Sequence, residues 1–200
     1  MTLASLAAAL IHGKRLPEPA ESLYVLVYPK EESMDTYAKN TAMRMIPYGV
    51  HVLTAQSEED KAMGAVVSWV TQASFSPPLV VVAIRVGSAM HNVAREARAF
   101  TINTLDKQHD GLARTFFQTV WEKGGTLAGE SFRNGSTGAP ILDCAAGYIE
   151  CKLDLCLEKG DHSIFIAEVV DAGIKGQIEG RPDEVGLLLS DIGGDVYYGG

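Results

Sequence analysis

Two long segments in the second half of the sequence alternate between apolar and polar side chains. The first runs from Ile149 to Glu158, and the second runs from His162 to Ala172 after the turn residues Gly160 and Asp161. A period of two is the period of a β-strand, because successive side chains point to opposite faces of a sheet. The two segments therefore predict an antiparallel hairpin with one face exposed to solvent. In the first strand the predicted apolar face carries Ile149, Cys151, Leu153, Leu155 and Leu157, and the predicted polar face carries Glu150, Lys152, Asp154 and Glu158.

Several more strands are predicted upstream and downstream of this hairpin. They are Val50–Ala55, Gly64–Ala73, Leu79–Val86 and Phe100–Leu105, with a last short strand at Val185–Leu189. Short turns between the first three favour an antiparallel sheet. The run from Leu79 to Ile84 is apolar at every position, which is typical of a central strand covered on both faces. Five glycines from Gly124 to Gly138 predict a long loop, of the kind that often borders a functional site.

The helices are predicted at the periphery of this sheet. One begins near Ser33 or Asp35 and ends at Pro47. A second begins at Ser88 with Met90, Val93, Ala94 and Ala97 on its buried stripe, and a third covers Gly111–Val120. Residues 1–42 are predicted to be an extension with a helix at Thr2–Ile11 and a strand at Leu23–Tyr28. Residues 43–200 are predicted to form one mostly β, barrel-forming domain.

The charge and the cysteines of the chain exclude several classes of function. The 200 residues carry 17 Lys and Arg against 25 Asp and Glu, and a net charge of −8 disfavours binding to nucleic acid or to an anionic membrane surface. No apolar stretch reaches the roughly 20 residues of a membrane helix, and the apolar run near the N-terminus lacks the preceding positive charge of an export signal. Cys151 and Cys156 are five residues apart in one strand, which predicts opposite faces and free thiols. The sequence therefore predicts a cytoplasmic protein.

The familiar catalytic and metal-binding motifs do not occur in the sequence. It contains no G-x-x-x-x-G-K phosphate-binding loop and no G-x-G-x-x-G motif after a strand. It also contains no G-x-S-x-G nucleophile turn and no H-E-x-x-H pair. The five histidines have no metal-ligand spacing, and no Cys-x-x-Cys pair is present. These absences leave a metal site and a triad hydrolase without support from the sequence.

Two groups of residues in the first half are candidates for a binding site. Hydroxyl groups and backbone amides are concentrated from Thr71 to Ser76, after the strand that contains Trp69, and such a strand end can bind a planar heterocycle. The alternative is an ordinary turn with Trp69 in the core. Arg85 and Ser88 precede a predicted helix, whose N-terminal amides suit a phosphate group. The alternative for Ser88 is a simple helix cap, with His91 as a solvated helix residue.

A third candidate is the histidine at the bend of the hairpin. The imidazole of His162 can donate a hydrogen bond to a flavin, a nicotinamide or a reacting oxygen. The adjacent carboxylate of Asp161 can orient it, although neighbouring strand residues usually face apart. The alternative is a surface histidine without a role.

The order of several motifs resembles the flavin reductase-like family, whose fold is the FMN-binding split barrel. The motifs are M-I-P-Y-G-V-H-V-L-T-A at 45–55, G-A-V-V-S-W-V-T-Q-A-S-F-S-P-P-L at 64–79, F-T-I-N-T-L at 100–105, L-A-R-T-F at 112–116, A-P-I-L at 139–142, E-C at 150–151 and G-D-H at 160–162. The Ser88 helix lies among them in the same order. The final tyrosine and two glycines are similar to the end of the flavin-reductase module of cyanobacterial diflavin flavoproteins.

The resemblance implies a Greek-key split β-barrel that forms a homodimer. It implies a bound FMN, or less often FAD, and NADH or NADPH as the hydride donor. The implied reaction transfers a hydride from nicotinamide C4 to flavin N5. In this reaction His162 is expected to form a hydrogen bond near the nicotinamide amide or the edge of the flavin.

The resemblance also assigns flavin-binding positions in this sequence. The implied set is Val66, Val67, Ser68, Trp69, Val70, Thr71, Ser74, Arg85, Ser88, His91 and Phe116. Met90 stands where the family has a threonine near the phosphate, which shifts the expected phosphate contacts toward Arg85 or His91. Trp69 and Val70 replace a small polar residue and, usually, a phenylalanine.

Two other functions remain open at the level of sequence. One is a flavin-binding electron-transfer or sensing module that takes electrons from a partner protein, suggested by Met90, Trp69 and the N-terminal extension. The other is a split barrel that binds haem or another ligand without redox turnover, with His51 or His162 as the ligand.

Overall fold

The computed structural model describes residues 34–57, 59, 61–194 and 196. Residue contacts divide the chain into two units, residues 1–41 and 42–200. The helix predicted at Thr2–Ile11 and the strand predicted at Leu23–Tyr28 lie outside the described residues. The separate role expected for residues 1–42 stays a prediction.

The fold is mostly β, built on one eight-stranded antiparallel sheet with short helices around it. Its strands in chain order are β1 (His51–Gln56), β2 (Ala62–Val67), β3 (Val70–Phe75), β4 (Pro78–Arg85), β5 (Ala99–Thr104), β6 (Val120–Trp121), β10 (Gly147–Glu158) and β11 (His162–Ile174). Their order across the sheet is β3-β4-β11-β10-β5-β1-β2-β6, so β2 and β3, which are neighbours in sequence, lie near opposite edges. The helices are α1 (Thr36–Arg44), α2 (Ala89–Ala97), α3 (Asp110–Thr115), α4 (Pro182–Val185) and α5 (Leu189–Ile192), with a 3₁₀ turn at Lys107–His109.

The predicted hairpin of β10 and β11 is confirmed, but four of its side-chain assignments are wrong, at Glu150, Leu155, Cys156 and Leu157, which is exposed like Leu155. The pairing of the two strands shifts register between Glu150 and Cys151 and again between Leu153 and Leu155. A register irregularity of this kind interrupts the alternation of faces. Leu155 is therefore exposed, whereas Cys156 packs against the same core as Cys151, rather than on the opposite face. Cys144, Cys151 and Cys156 are free thiols, and burial raises the pKa of Cys151 to about 12.

The continuous strand predicted at Gly64–Ala73 is wrong, because the chain breaks at Ser68 and Trp69. β2 pairs with β1 and β6, while β3 pairs with β4. The Trp69 carbonyl accepts a hydrogen bond from the Ala83 amide at 3.0 Å, so the chain has already joined the other edge of the sheet at this point. The interruption at Ser68 and Trp69 is therefore where the chain passes from one part of the sheet to another.

The apolar strand β4 is internal to the sheet, as predicted, but its two faces are not equally covered. Val80, Val82 and Ile84 are buried, whereas Val81 and Ala83 are only partly buried. β4 lies between β3 and β11. The less covered face leaves space beside Ala83, where the candidate site described below lies.

The glycine-rich segment predicted as a loop contains two short strands. β7 (Thr126–Leu127) and β8 (Glu130–Asn134) form a second sheet with β9 (Pro140–Leu142). The turn between them places Ala128 and Gly129 at φ values of 56° and 87°. Glycine adopts such positive values without strain, so the glycine content here marks tight turns rather than an unstructured loop.

Glu150 is fully buried, although its place in the alternation predicts a polar surface position. One of its carboxylate oxygens accepts hydrogen bonds from the Thr137 amide and from Ser136 Oγ. A Cβ at Gly135 would lie 2.5 Å from this carboxylate, so a glycine is needed for the turn to approach it. The side chain of Glu150 thus holds the 135–137 turn against the large sheet, which is a tertiary contact that alternation cannot reveal.

The three helices predicted within the described residues are present, with different ends. Asp35 Oδ1 accepts the Tyr37 amide at the start of α1, and Ser88 caps α2. α3 ends at Thr115 rather than Val120, because the Phe116 carbonyl accepts a hydrogen bond from the Val66 amide of β2. The strand predicted at Val185–Leu189 is reduced to two isolated antiparallel bridges, Gly186 with Asp106 and Leu188 with Gly49. Val185 ends α4 and Leu189 begins α5. No helix in the described part of the chain is long and apolar enough to cross a membrane.

Candidate functional site

A cavity of about 610 Å³ lies between β2, β4 and the N-terminus of α2. This volume is within the range of roughly 300–1,000 Å³ that small-molecule and cofactor sites occupy. Most of its lining is apolar and small, with a few polar groups. The lining residues are Ala65, Val66, Val67, Ser68, Ala83, Ile84, Arg85, Ser88, Met90, Phe117, Thr119, Leu189 and Val196.

The cavity follows from the break between β2 and β3. Because the chain leaves β2 after Val67, Ser68 lies next to β4 rather than in a continuous ladder. Ala65 and Ala83 present only methyl groups to the space. Small side chains and an interrupted strand leave a slot that a flat ring can enter with close approach to the backbone.

Arg85 and Ser88 stand at one end of this cavity, where α2 begins. Ser88 has extended backbone angles, and its Oγ accepts a hydrogen bond from the His91 amide at 3.1 Å. The serine is therefore a helix cap, and it also lines the cavity, where its hydroxyl proton can be donated. The first amides of a helix have no partner within it and carry partial positive charge. Together with the Arg85 guanidinium, they suit an anionic group such as a phosphate.

His162 lies beside this end of the cavity without being part of its lining. It is the first residue of β11 and is paired with Arg85 of β4. Its Nδ1 is 3.0 Å from Asp161 Oδ1, and the side chain is 12% exposed. The hydrogen bond to His162, supported by its charge, holds the pKa of the Asp161 carboxyl below its usual range. The neighbouring carboxylate does contact the imidazole, although adjacent strand residues usually face apart.

An aromatic row connects His162 to the break between the strands. The ring centroids of Trp69 and His162 are 4.6 Å apart, and those of Tyr48 and Trp69 are 6.4 Å apart. Tilted aromatic contacts at this spacing add a modest packing energy and restrict ring rotation. Trp69 does not line the cavity, but its ring packs against His162 at the edge of the site.

Ser74 is not brought together with His162. In the sheet Ser74 lies opposite Leu79 and His162 lies opposite Arg85, which is six residues further along β4. At about 3.3 Å per residue the two positions are roughly 20 Å apart. Ser74 and His162 of one chain therefore do not border the same slot, and the flavin contact assigned to Ser74 stays a prediction. The cavity is at the beginning of β3 and not at its end, and Val70 and Thr71 do not line it.

His91 and Phe116 are also directed away from the cavity. His91 is 3% exposed, and its Nε2 lies 2.9 Å from Ser163 Oγ, so it is neither a lining residue nor a solvated helix residue. Phe116 is fully buried in a separate apolar cluster with Val52, under Gly64. The cavity is lined by its neighbour Phe117 instead. Among the predicted flavin-binding residues, those that line the cavity are Val66, Val67, Ser68, Arg85 and Ser88.

The sequence reasoning missed several lining residues, and one of them carried a usable signal. Met90 occupies the position of a small polar residue in the family pattern, and it lines the cavity in place of such a residue. Phe117, Thr119, Leu189 and Val196 come from segments distant in sequence. Nothing in their local pattern indicates that they meet at the cavity.

A second cavity, of about 450 Å³, lies at the other end of the β10–β11 hairpin. Gly147, Tyr148 and Ile174 belong to its lining. No residue predicted for the site lines it, and no arginine, lysine or histidine does. This cavity offers nothing to hold a phosphate or to orient a nicotinamide. A third cavity, of about 540 Å³, has Lys61 beside Glu59 and Glu96 and contains none of the predicted site residues, so the cavity beside Arg85 is the candidate site.

The sheet order and the cavity define a protein of the flavin reductase split-barrel class. The flavin reductase like domain matches residues 43–193, and the chain belongs to this family. A solved relative is the styrene monooxygenase flavin reductase of Pseudomonas putida S12. It superposes with a TM-score of 0.60 at 25% identity, covering 70% of this chain and 87% of that one.

Two curated relatives show how the domain is used in other chains. An NADH-dependent FAD reductase of Streptomyces globisporus is 29% identical, over 74% of this chain and 82% of that protein. Diflavin flavoprotein A 1 of Synechocystis sp. (strain ATCC 27184 / PCC 6803 / Kazusa) is 31% identical, over 66% of this chain. The present chain spans only 23% of the length of that flavoprotein.

Proposed function

We propose that this protein is an NAD(P)H-dependent flavin reductase that binds FMN, or alternatively FAD, in the cavity beside Arg85. The proposal depends on one observation, which is that a single cavity combines two features. Ser68 and Ala83 line a slot that suits a flat ring, and Arg85 and Ser88 form an end that suits a phosphate. The family assignment and the NADH-dependent FAD reductase among its relatives support the same activity.

The chemical types of the residues at the cavity suit a flavin mononucleotide. Ser68 is small and 6% exposed, and the main chain around it leaves the β2 ladder, so backbone groups are available to the polar edge of a ring. The cationic group of Arg85 and the amides at the start of α2 are available to a phosphate. A bound flavin supplies the hydride-accepting chemistry, because the cofactor carries the electronic part of such reactions.

The protein's own contribution is to orient the rings and limit the access of water. His162, held by Asp161 and by Trp69, presents its imidazole beside Arg85. We assign it a hydrogen bond to the nicotinamide amide or to the flavin edge rather than an obligate proton transfer. Orientation of this kind lowers the barrier by placing the reacting groups in contact before reaction.

Anaerobic reduction tests this proposal. The protein is purified, loaded with FMN or with FAD, and mixed with NADH and separately with NADPH in the absence of oxygen. Loss of the flavin absorption in the visible range is the expected result with at least one of the four combinations. A protein that binds neither flavin and oxidises neither nucleotide contradicts the proposal.

A non-enzymatic electron-transfer or sensing module is the second candidate. The Trp69 ring covers one side of His162 and so takes space that a nicotinamide would need. A bound flavin that stays oxidised with both nucleotides, yet is reduced by dithionite, favours this candidate. The same anaerobic experiment therefore distinguishes the two functions.

A further inference from the structure

A group of metal-ligating side chains lies on the side of α2 that faces the hairpin. Among the described residues, His91, Cys156 and Glu158 bring a ring nitrogen, a thiol sulfur and a carboxylate oxygen to within 4.8 Å of one another. These residues do not line the cavity of the candidate flavin site. No sequence spacing indicates them, because His91 is 65 residues from Cys156 and the two are joined only by the fold.

Each of the three side chains is held by a different part of the structure. His91 is 3% exposed on α2, with Nε2 2.9 Å from Ser163 Oγ of β11 and its ring packed edge-on against Phe165. Cys156 is half-buried on β10 opposite Phe165. Glu158 is two residues further along β10, opposite Ser163. Because side chains two residues apart in a strand share a face, Cys156 and Glu158 point to the same side of the sheet.

The burial and the hydrogen bonds reduce the cost of assembling a site. The second ring nitrogen of His91, Nδ1, lies 3.3 Å from Asn92 Oδ1, so a metal ion would replace the partner of one of the two nitrogens. The contact that remains restrains the ring, as it does in metal-binding histidines. The guanidinium of Arg95 donates to Glu158 Oε1, which restrains the carboxylate near the group and leaves its second oxygen available. His91 and Cys156 therefore have little conformational freedom to lose when an ion binds, whereas the exposed Glu158 is restrained by its ion pair with Arg95.

The donor set selects the class of metal ion. One nitrogen, one sulfur and one oxygen are ligands that zinc accepts in tetrahedral sites, whereas magnesium and calcium prefer oxygen alone. A thiolate and a carboxylate would balance the two charges of the ion. Zinc–ligand distances of roughly 2.0–2.3 Å place donor atoms about 3.3–3.8 Å apart in a tetrahedral site, so the three atoms need to approach only modestly.

We propose that His91, Cys156 and Glu158 bind a single zinc ion, with water as a fourth ligand. On binding, the Cys156 thiol releases its proton to solvent and the thiolate sulfur bonds to the metal, with no change of oxidation state. The ion then fixes α2 to the β10–β11 hairpin. His91 is three residues after Ser88 on α2, and Glu158 is paired with Ser163, the neighbour of His162. Occupancy of the site therefore stabilises the adjacent end of the candidate flavin site without contacting it.

Cobalt substitution tests the proposal directly, because a thiolate bound to Co²⁺ gives a charge-transfer band in the near ultraviolet. The reduced full-length protein, free of metal, is titrated with Co²⁺ under anaerobic conditions. We expect the band to saturate at one ion per chain, to disappear in Cys156→Ser and to persist in Cys144→Ser. Cys144 is a matched control because it is also half-buried and lies outside the group. No band in the wild type, or a band that persists in Cys156→Ser, overturns the proposal.

Competition for zinc provides a second measurement that does not depend on the thiol. Zn²⁺ affinity is measured against a chromophoric chelator for the wild type, for Glu158→Gln and for Glu168→Gln. Glu168 is exposed on β11 and is outside the group. We expect Glu158→Gln to weaken zinc binding at least about tenfold and Glu168→Gln to leave it unchanged. Equal affinities in all three proteins contradict the assignment of Glu158, and circular dichroism of each variant confirms that the fold is intact.

Discussion

At the scale of single residues, the candidate site depends on groups that have two roles at once. Ser88 caps α2 through the His91 amide and also faces the cavity. Arg85 is the last residue of β4 and is paired across the sheet with His162. Binding and catalysis can therefore be separated by substitution, because Arg85 and Ser88 border the cavity whereas His162 lies beside it.

The first residue-scale prediction concerns flavin affinity. We expect Arg85→Ala combined with Ser88→Ala to raise the flavin dissociation constant by at least about tenfold, since charge-assisted hydrogen bonds contribute roughly 1.5–3 kcal/mol. Fluorescence titration with FMN measures the change. Arg133→Ala is the control, because Arg133 is an exposed arginine paired with Asp143 and does not line the cavity. An unchanged dissociation constant in the double variant would remove the phosphate assignment.

The second residue-scale prediction concerns the rate of reduction. His162→Ala should lower the stopped-flow rate of flavin reduction by about tenfold, the equivalent of one lost hydrogen bond, with a smaller effect on flavin affinity. His109→Ala is a matched control, because His109 also contacts a carboxylate, with Nδ1 2.7 Å from Asp106 Oδ1, but lies outside the site. If affinity falls more than the rate does, the roles assigned to His162 and Arg85 are reversed.

The third residue-scale prediction concerns the pH dependence of stability. Burial lowers the pKa of His51 from 6.5 to about 4, and its Nδ1 lies 3.3 Å from Thr104 Oγ1. Between these two pH values the unfolded chain binds a proton at His51 that the folded chain does not, so the free energy of unfolding falls as pH decreases. The loss is at most about 3 kcal/mol at 1.36 kcal/mol per pKa unit.

Urea unfolding at about pH 7 and about pH 4.5 measures this dependence. His51→Gln keeps a polar side chain but cannot titrate, so its unfolding free energy should fall less than that of the wild type. Because other groups titrate in both proteins, the difference between the two is the quantity of interest. Equal losses in the two proteins would show that His51 does not contribute.

At the scale of elements, the fold depends on places where a strand pattern is interrupted. The break at Ser68 and Trp69 divides one apparent strand into β2 and β3 and opens the cavity. The register shift near Leu155 places Cys156 against the core and beside Glu158 on one face. Each interruption changes which side chains face inward, and therefore determines which groups can act together.

One element-scale prediction concerns the approach of Phe116 to β2. A methyl group at Gly64 would lie 2.7 Å from Phe116 Cε1 and 3.3 Å from Val52 Cγ1. Since Phe116 is fully buried, it has little room to move, and Gly64→Ala should destabilise the protein by about 1–3 kcal/mol. Chemical denaturation measures the change.

Gly111→Ala is the control for this substitution. Nothing lies within 4 Å of a methyl group at Gly111, which is in α3. Alanine is favoured over glycine in a helix by roughly 0.5–1 kcal/mol, so this variant should be as stable as the wild type or slightly more stable. Similar losses in both variants would mean that close packing at β2 is not the cause.

At the scale of the whole molecule, the expected assembly is a homodimer. The resemblance to the family implies it, and Phe75, 89% exposed at the end of β3, is a large apolar side chain available for such a contact. Light scattering after size exclusion should give twice the chain mass of 21.4 kDa. Phe75→Ser should shift the protein toward the monomer at low concentration, and a wild-type mass of one chain would contradict the prediction.

Periodicity and local chemistry determined a large part of this protein. The alternation from Ile149 onward predicts the β10–β11 hairpin, the apolar run at Leu79 predicts an internal strand, and Ser88 predicts the start of α2. These features are local, because side-chain direction repeats every two residues in a strand and helix ends need a capping group. The ordered motifs also identified the family that matches residues 43–193.

The tertiary structure alone decided which residues meet. It separated Ser74 from His162, buried Glu150 against the 135–137 turn, and placed His91 beside Cys156 rather than in the cavity. A register shift or a chain crossing depends on contacts between residues far apart in sequence. It changes the side of the sheet to which a side chain points, although the local sequence pattern stays the same. The sequence therefore determined the longer elements and their order along the chain, while the packing of the elements determined the strand breaks, the short strands and the site.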